Sequence, residues 1–86
     1  MKLQALREEI DRIDEDILER LNRRLSLAHQ TRGLKSGIYD PERERRVLDR
    51  LELLLADFEF LRADFIAAVY GEILRESRRI QQEEGS

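Results

Sequence analysis

LQALREEIDRIDEDILERLNRRLSLA, residues 3–28, carries one apolar stripe along a single helical face. Leu3, Leu6, Ile10, Ile13 and Ile17 recur at alternating steps of three and four, and Leu21 and Ala28 continue the line. That period is the seam of an amphipathic helix whose other faces are charged. Nothing interrupts it before Gly33, so the spacing predicts a helix of about thirty residues, roughly 45 Å long. Downstream, Ser36-Gly37 and Tyr39-Asp40-Pro41 punctuate the chain. Asp40 is placed to cap a second helix and Pro41 to occupy its first position, with Glu44 in a first turn whose dipole favours a carboxylate. Val47, Leu48, Leu51, Leu54, Leu55 and Phe58 give that helix its apolar face, over about half the length of the first. After an unpunctuated connection around residues 57–62, a third helix carries Phe65, Ile66, Val69, Tyr70, Ile73, Leu74 and Ile80, and ends within residues 82–86.

The expectation is an all-α fold of three helices, one long and two shorter, forming a single domain over residues 1–84 with 85–86 as a disordered tail. A chain of 86 residues buries a small fraction of its surface, which favours help from a partner. Geometry points the same way: a second helix of about 25 Å leaves much of a 45 Å stripe bare, and the third has one stripe to share between both. The spacing therefore predicts an intertwined homodimer in which the long helices pair about a two-fold axis. The competing arrangement is a monomeric three-helix bundle with a frayed first helix.

Composition narrows the function classes. The chain has no cysteine, hence no disulfide framework and no thiolate chemistry, which suits a reducing cytoplasm. Charges throughout the N-terminal segment exclude a signal peptide or a membrane span there. His29 is the only histidine, which argues against a metal centre or a Ser-His arrangement. Net charge is −3, yet residues 20–46 carry a balance of +5, leaving −8 for the rest. A short basic stretch in an acidic chain fits a small anion better than a nucleic-acid track.

Polar residues interrupt the stripes at particular positions. Arg24 and Lys35 fall on the line of Ile17, Leu21 and Ala28, and Ser77 and Gln81 fall on that of Ile66, Tyr70 and Ile73. Arg43 and Glu44 open the second helix near the end of the first. Such groups are costly to desolvate, so their convergence points to a pocket for a polar, anionic ligand. His29, Tyr39 and Tyr70 read as packing or surface residues.

Leu6-Arg7, Arg24 with Leu27-Ala28 after it, Lys35, Asp40-Pro41-Glu42-Arg43-Glu44, and Ser77 with Gln81 together resemble the all-helical class of chorismate mutase, over nearly the whole chain. The intervals of seventeen from Arg7 to Arg24, eleven from Arg24 to Lys35 and four from Ser77 to Gln81 match the family pattern. The resemblance implies conversion of chorismate to prephenate, a Claisen rearrangement on the route to phenylalanine and tyrosine, with no cofactor and no metal. It implies that Arg24 and Arg7 bind the two substrate carboxylates, with Arg7 crossing from the other protomer. Lys35 would meet the ether oxygen and a carboxylate, and Gln81 the ether oxygen from the opposite side. Glu44 would accept from the substrate hydroxyl, with Asp40 nearby, while Arg43 and Ser77 complete the carboxylate contacts. The chemistry suits these residue types: a pericyclic step needs a flexible diacid held in its reactive shape and negative charge stabilised on the breaking C–O oxygen. Arginine forks match carboxylates and a lysine matches a localised oxyanion.

One departure stands out. Only Ser36-Gly37-Ile38-Tyr39 separate Lys35 from Asp40, a shorter connection than is usual in the family, and Gly33 and Gly37 flank the lysine. The alternatives are an isochorismate pyruvate lyase, and a non-catalytic regulatory sensor or dimerisation domain of a shikimate-pathway enzyme. Neither a nucleic acid nor a membrane is expected as a partner.

Overall fold

A computed structural model describes residues 2–34 and 39–83. They form α1 (Leu3–Gln30), α2 (Pro41–Leu54) and α3 (Ala63–Glu83), with a 3-10 turn at Leu55–Asp57 after α2. The described residues contain no strand. The all-α expectation holds, and so do the proportions: α1 has 28 residues, α2 has 14 and α3 has 21. At 1.5 Å per residue α1 is about 42 Å long. The tail at 85–86 and Lys35 lie outside the described residues.

Helix ends follow local chemistry. Helix α1 stops at Gln30, three residues short of Gly33, because its last turn tightens: the N–H groups of Thr31, Arg32 and Leu34 reach back three residues rather than four. The Thr31 hydroxyl also donates to the Ala28 carbonyl at 2.7 Å. Gly33 then takes φ +81°, a left-handed conformation suited to glycine just past a helix end. At the start of α2, Asp40 Oδ1 accepts from the Arg43 N–H at 3.0 Å and Pro41 occupies the first turn, as the sequence predicts. The apolar face of α2 ends earlier than Phe58, whose backbone is extended and whose ring is exposed.

Helix α3 packs on both α1 and α2. Among the described residues the buried apolar side chains are Val47 and Leu74, and Ser77 and Gln81 are buried as well. The N-terminal half of α1 has no such cover: Leu3, Leu6, Ile10, Ile13 and Ile17 are 45–61% exposed. The chain is correspondingly elongated, with a radius of gyration of 15.9 Å against about 12 Å for a compact domain of this length. Leu53, Phe58, Phe60 and Phe65, around the turn from α2 to α3, are exposed as well. Among the described residues, no helix is long and apolar enough to cross a membrane.

Candidate functional site

A cavity of about 580 Å³ opens where the C-terminal end of α1, the first turns of α2 and the second half of α3 meet. Helical periodicity builds its walls. Arg24 and Ala28 lie one turn apart on α1, Ser77 and Gln81 one turn apart on α3, and Glu44 lies one turn before buried Val47 on α2. Four arginines (Arg24, Arg43, Arg50 and Arg78) line the cavity against two carboxylates, Asp40 and Glu44. The excess of positive charge favours an anion.

Arg24 is half-buried. Its Nη1 donates to Ser77 Oγ at 3.4 Å, and its guanidinium carbon lies 5.6 Å from the centroid of the Tyr70 ring. The Ser77 hydroxyl donates in turn to the Ile73 carbonyl at 2.9 Å, which leaves its oxygen facing the arginine. Among the described residues no carboxylate pairs with Arg24. A guanidinium withdrawn from water, oriented by a hydroxyl and a ring yet not neutralised, is prepared for an incoming carboxylate.

Gln81 is 5% exposed and bridges back to α1. Its Nε2 donates to the Ala28 carbonyl at 2.8 Å and to Thr31 Oγ1 at 3.1 Å. A carbonyl only accepts, so the nitrogen must be the atom facing Ala28 and the amide orientation is settled. Oε1 is then buried with no hydrogen-bond partner among the described residues. Both amide protons are engaged, so donation to a ligand in the cavity requires Nε2 to give up one contact, the longer being that with Thr31.

Glu44 is held from α3. Arg78 Nη1 donates to both of its carboxylate oxygens, at 2.7 and 2.5 Å. Asp40 and Arg43 line the cavity from its exposed rim, with the Asp40 carboxylate engaged in capping. Arg7 lies on the exposed N-terminal half of α1, seventeen residues and about 25 Å of helix before Arg24. It therefore does not line the cavity of its own chain. The carboxyl of Glu76 lies below the usual range because Arg79 donates to it, but that pair is outside the cavity and screened by solvent.

Thr31, Arg50, Tyr70 and Arg78 line the cavity although the sequence does not single them out as site residues. Tyr70 reads in the sequence as a packing or surface residue, although it precedes Ser77 by seven positions on the same stripe, which places it on the cavity wall. Arg78 follows buried Leu74 by four positions and so sits at the border of the α3 stripe, where an arginine reads as a solvated one. Among the described residues no group of three or more His, Cys, Asp or Glu side chains is placed to hold a metal ion.

Residues 6–82 match the family described as chorismate mutase type II. A bifunctional chorismate mutase/prephenate dehydratase of Aquifex aeolicus (strain VF5) is 46% identical over 54 residues, which cover 58% of this chain and 15% of that protein. The chain thus corresponds to a small part of that relative's length. Among solved structures, the crystal structure of chorismate mutase from Helicobacter pylori in complex with prephenate superposes with a TM-score of 0.85 at 34% identity, over 94% of this chain and 90% of that one.

Proposed function

The chain belongs to the chorismate mutase type II family, and on that premise we propose that it converts chorismate to prephenate in the cavity between α1, α2 and α3. The observation that carries this reading is Arg24, half-buried in a cavity rich in cations and paired with no carboxylate among the described residues. One substrate carboxylate takes Arg24. The other takes Arg7 of the partner subunit, brought in when the uncovered stripe of α1 pairs with that of a second copy. The exposure of Leu3, Leu6, Ile10, Ile13 and Ile17 supports such a homodimer, because contiguous apolar surface of this kind marks an interaction face. The cysteine-free chain suits the cytoplasm.

The rearrangement breaks a C–O bond and forms a C–C bond in one cyclic movement of electrons, with no proton transferred and nothing gained or lost. The protein's part is to hold the diacid in its reactive shape and to stabilise negative charge on the departing ether oxygen. Lys35 serves that oxygen from one side. Gln81 serves it from the other, after Nε2 exchanges Thr31 for the substrate. Glu44 accepts from the hydroxyl of the ring, and Arg43, Ser77 and Asp40 complete the polar wall.

The test is turnover by the purified chain, read by separating the products. Chorismate is expected to disappear faster than its uncatalysed rate, with one prephenate formed per chorismate consumed. Release of pyruvate from isochorismate in a parallel assay, with no prephenate formed from chorismate, assigns the site to an isochorismate pyruvate lyase. Tight binding of a bicyclic diacid without turnover assigns it to a sensor.

A further inference from the structure

Arg78 lines the cavity, and the reaction as described gives it no task. Its ion pair with Glu44 joins residues 34 positions apart, the first turn of α2 to the later turns of α3, so it is not a neighbour pair on one helix surface. Both side chains are partly withdrawn from water, 31% exposed for Arg78 and 21% for Glu44. The guanidinium carbon of Arg78 also lies 4.9 Å from the centroid of the Tyr39 ring, a cation–π contact that further restrains it.

This geometry has two chemical consequences. A carboxylate offers about four lone-pair directions. Arg78 Nη1 occupies one on each oxygen, so Glu44 retains acceptor capacity for a hydroxyl while its orientation is set. The second consequence concerns charge. An unpaired, half-buried carboxylate in a cavity for a dicarboxylate would repel the ligand. Paired with Arg78, Glu44 presents an acceptor without a net charge, and Arg24, Arg43 and Arg50 then face Asp40 alone.

We propose that Arg78 is a positioning residue, which neutralises and aims Glu44 so that this carboxylate accepts a substrate hydroxyl inside a site for a dianion. The inference deepens the proposed reading and rests on it. Arg78 acts through Glu44 and is restrained by Tyr39.

The experiment is a double-mutant cycle with R78Q, E44Q and the combined variant, measuring kcat and KM for chorismate and, by calorimetry, the affinity for a hydroxylated bicyclic diacid mimicking the transition state. R78Q is expected to raise KM and weaken diacid binding by on the order of tenfold to a hundredfold, as for other broken, partly buried ion pairs. Arg78→Lys, which keeps the charge, is expected to recover most of that loss. In the combined variant the unpaired carboxylate is gone, so diacid binding is expected to be tighter than in R78Q alone. A purely structural role for Arg78 lowers the melting temperature and gives no such recovery.

Unchanged kinetics and binding in R78Q, or losses that simply add in the combined variant, overturn the inference. Wild-type diacid binding without turnover overturns the mutase reading, while the binding cycle still decides the role of Arg78. Failure of the wild type to bind the diacid overturns both.

Discussion

Arg24→Ala is expected to lower kcat/KM by about two to three orders of magnitude, or on the order of 3 to 4 kcal/mol of transition-state stabilisation, the range found when one preorganised donor is removed from an active site. The melting temperature is expected to hold or rise. Both halves of the expectation come from the same geometry. Arg24 is half-buried and held by Ser77 and Tyr70 with no carboxylate partner among the described residues, so its truncation relieves desolvation of a charge without orphaning another. Arg24→Lys should recover little of the lost activity, because a point charge does not reproduce a fork that grips both oxygens of a carboxylate. Steady-state kinetics beside a thermal melt decides the matter. Loss of activity that merely tracks unfolding would assign Arg24 to the scaffold.

Ile13→Glu has the other large expected effect. Within a single chain this substitution on a residue 55% exposed is a surface change, worth no more than about 0.5 kcal/mol. If the α1 stripe is the pairing surface, it instead buries a carboxylate in an apolar seam, costing roughly 2 kcal/mol or more per protomer. Two copies enter each dimer, so the dissociation constant should rise by about a thousandfold or more. Sedimentation at a series of concentrations is expected to show a dimer for the wild type and a monomer for I13E. On the proposed reading activity should fall with the dimer, because Arg7 of the partner subunit would complete the site. A wild type that sediments as a monomer at every concentration would remove the basis for placing Arg7 in the site.

The helices were legible because their signals are local. The three-and-four spacing from Leu3 to Ile17 specifies α1, and Asp40-Pro41 specifies the start of α2 through a side-chain cap and a preset φ. Arg24, Ser77 and Gln81 were legible for a related reason, since polar residues on an apolar stripe have nowhere to point except inward. What escaped was tertiary. The early end of α1 depends on Thr31, whose hydroxyl bonds back to Ala28, and the same hydroxyl receives an amide proton of Gln81 from another helix. No periodicity in either helix encodes that three-way contact. Arg78 was missed because it borders its stripe, and only the packing of α3 on α2 reveals Glu44 opposite it.

Mixing two inactive variants tests the shared site most directly. R7A and R24A are each expected to be nearly inactive as homodimers. Unfolded together in equal amounts and refolded, they should form hybrid dimers in which one site carries both substitutions and the other carries neither. About a quarter of the sites in the mixture then regain both arginines, as random pairing about a two-fold axis requires. Recovery of roughly that fraction of wild-type prephenate formation is the predicted result. A refolded mixture that contains hybrid dimers yet stays as inactive as its parents, beside an active wild type refolded in the same way, would contradict it.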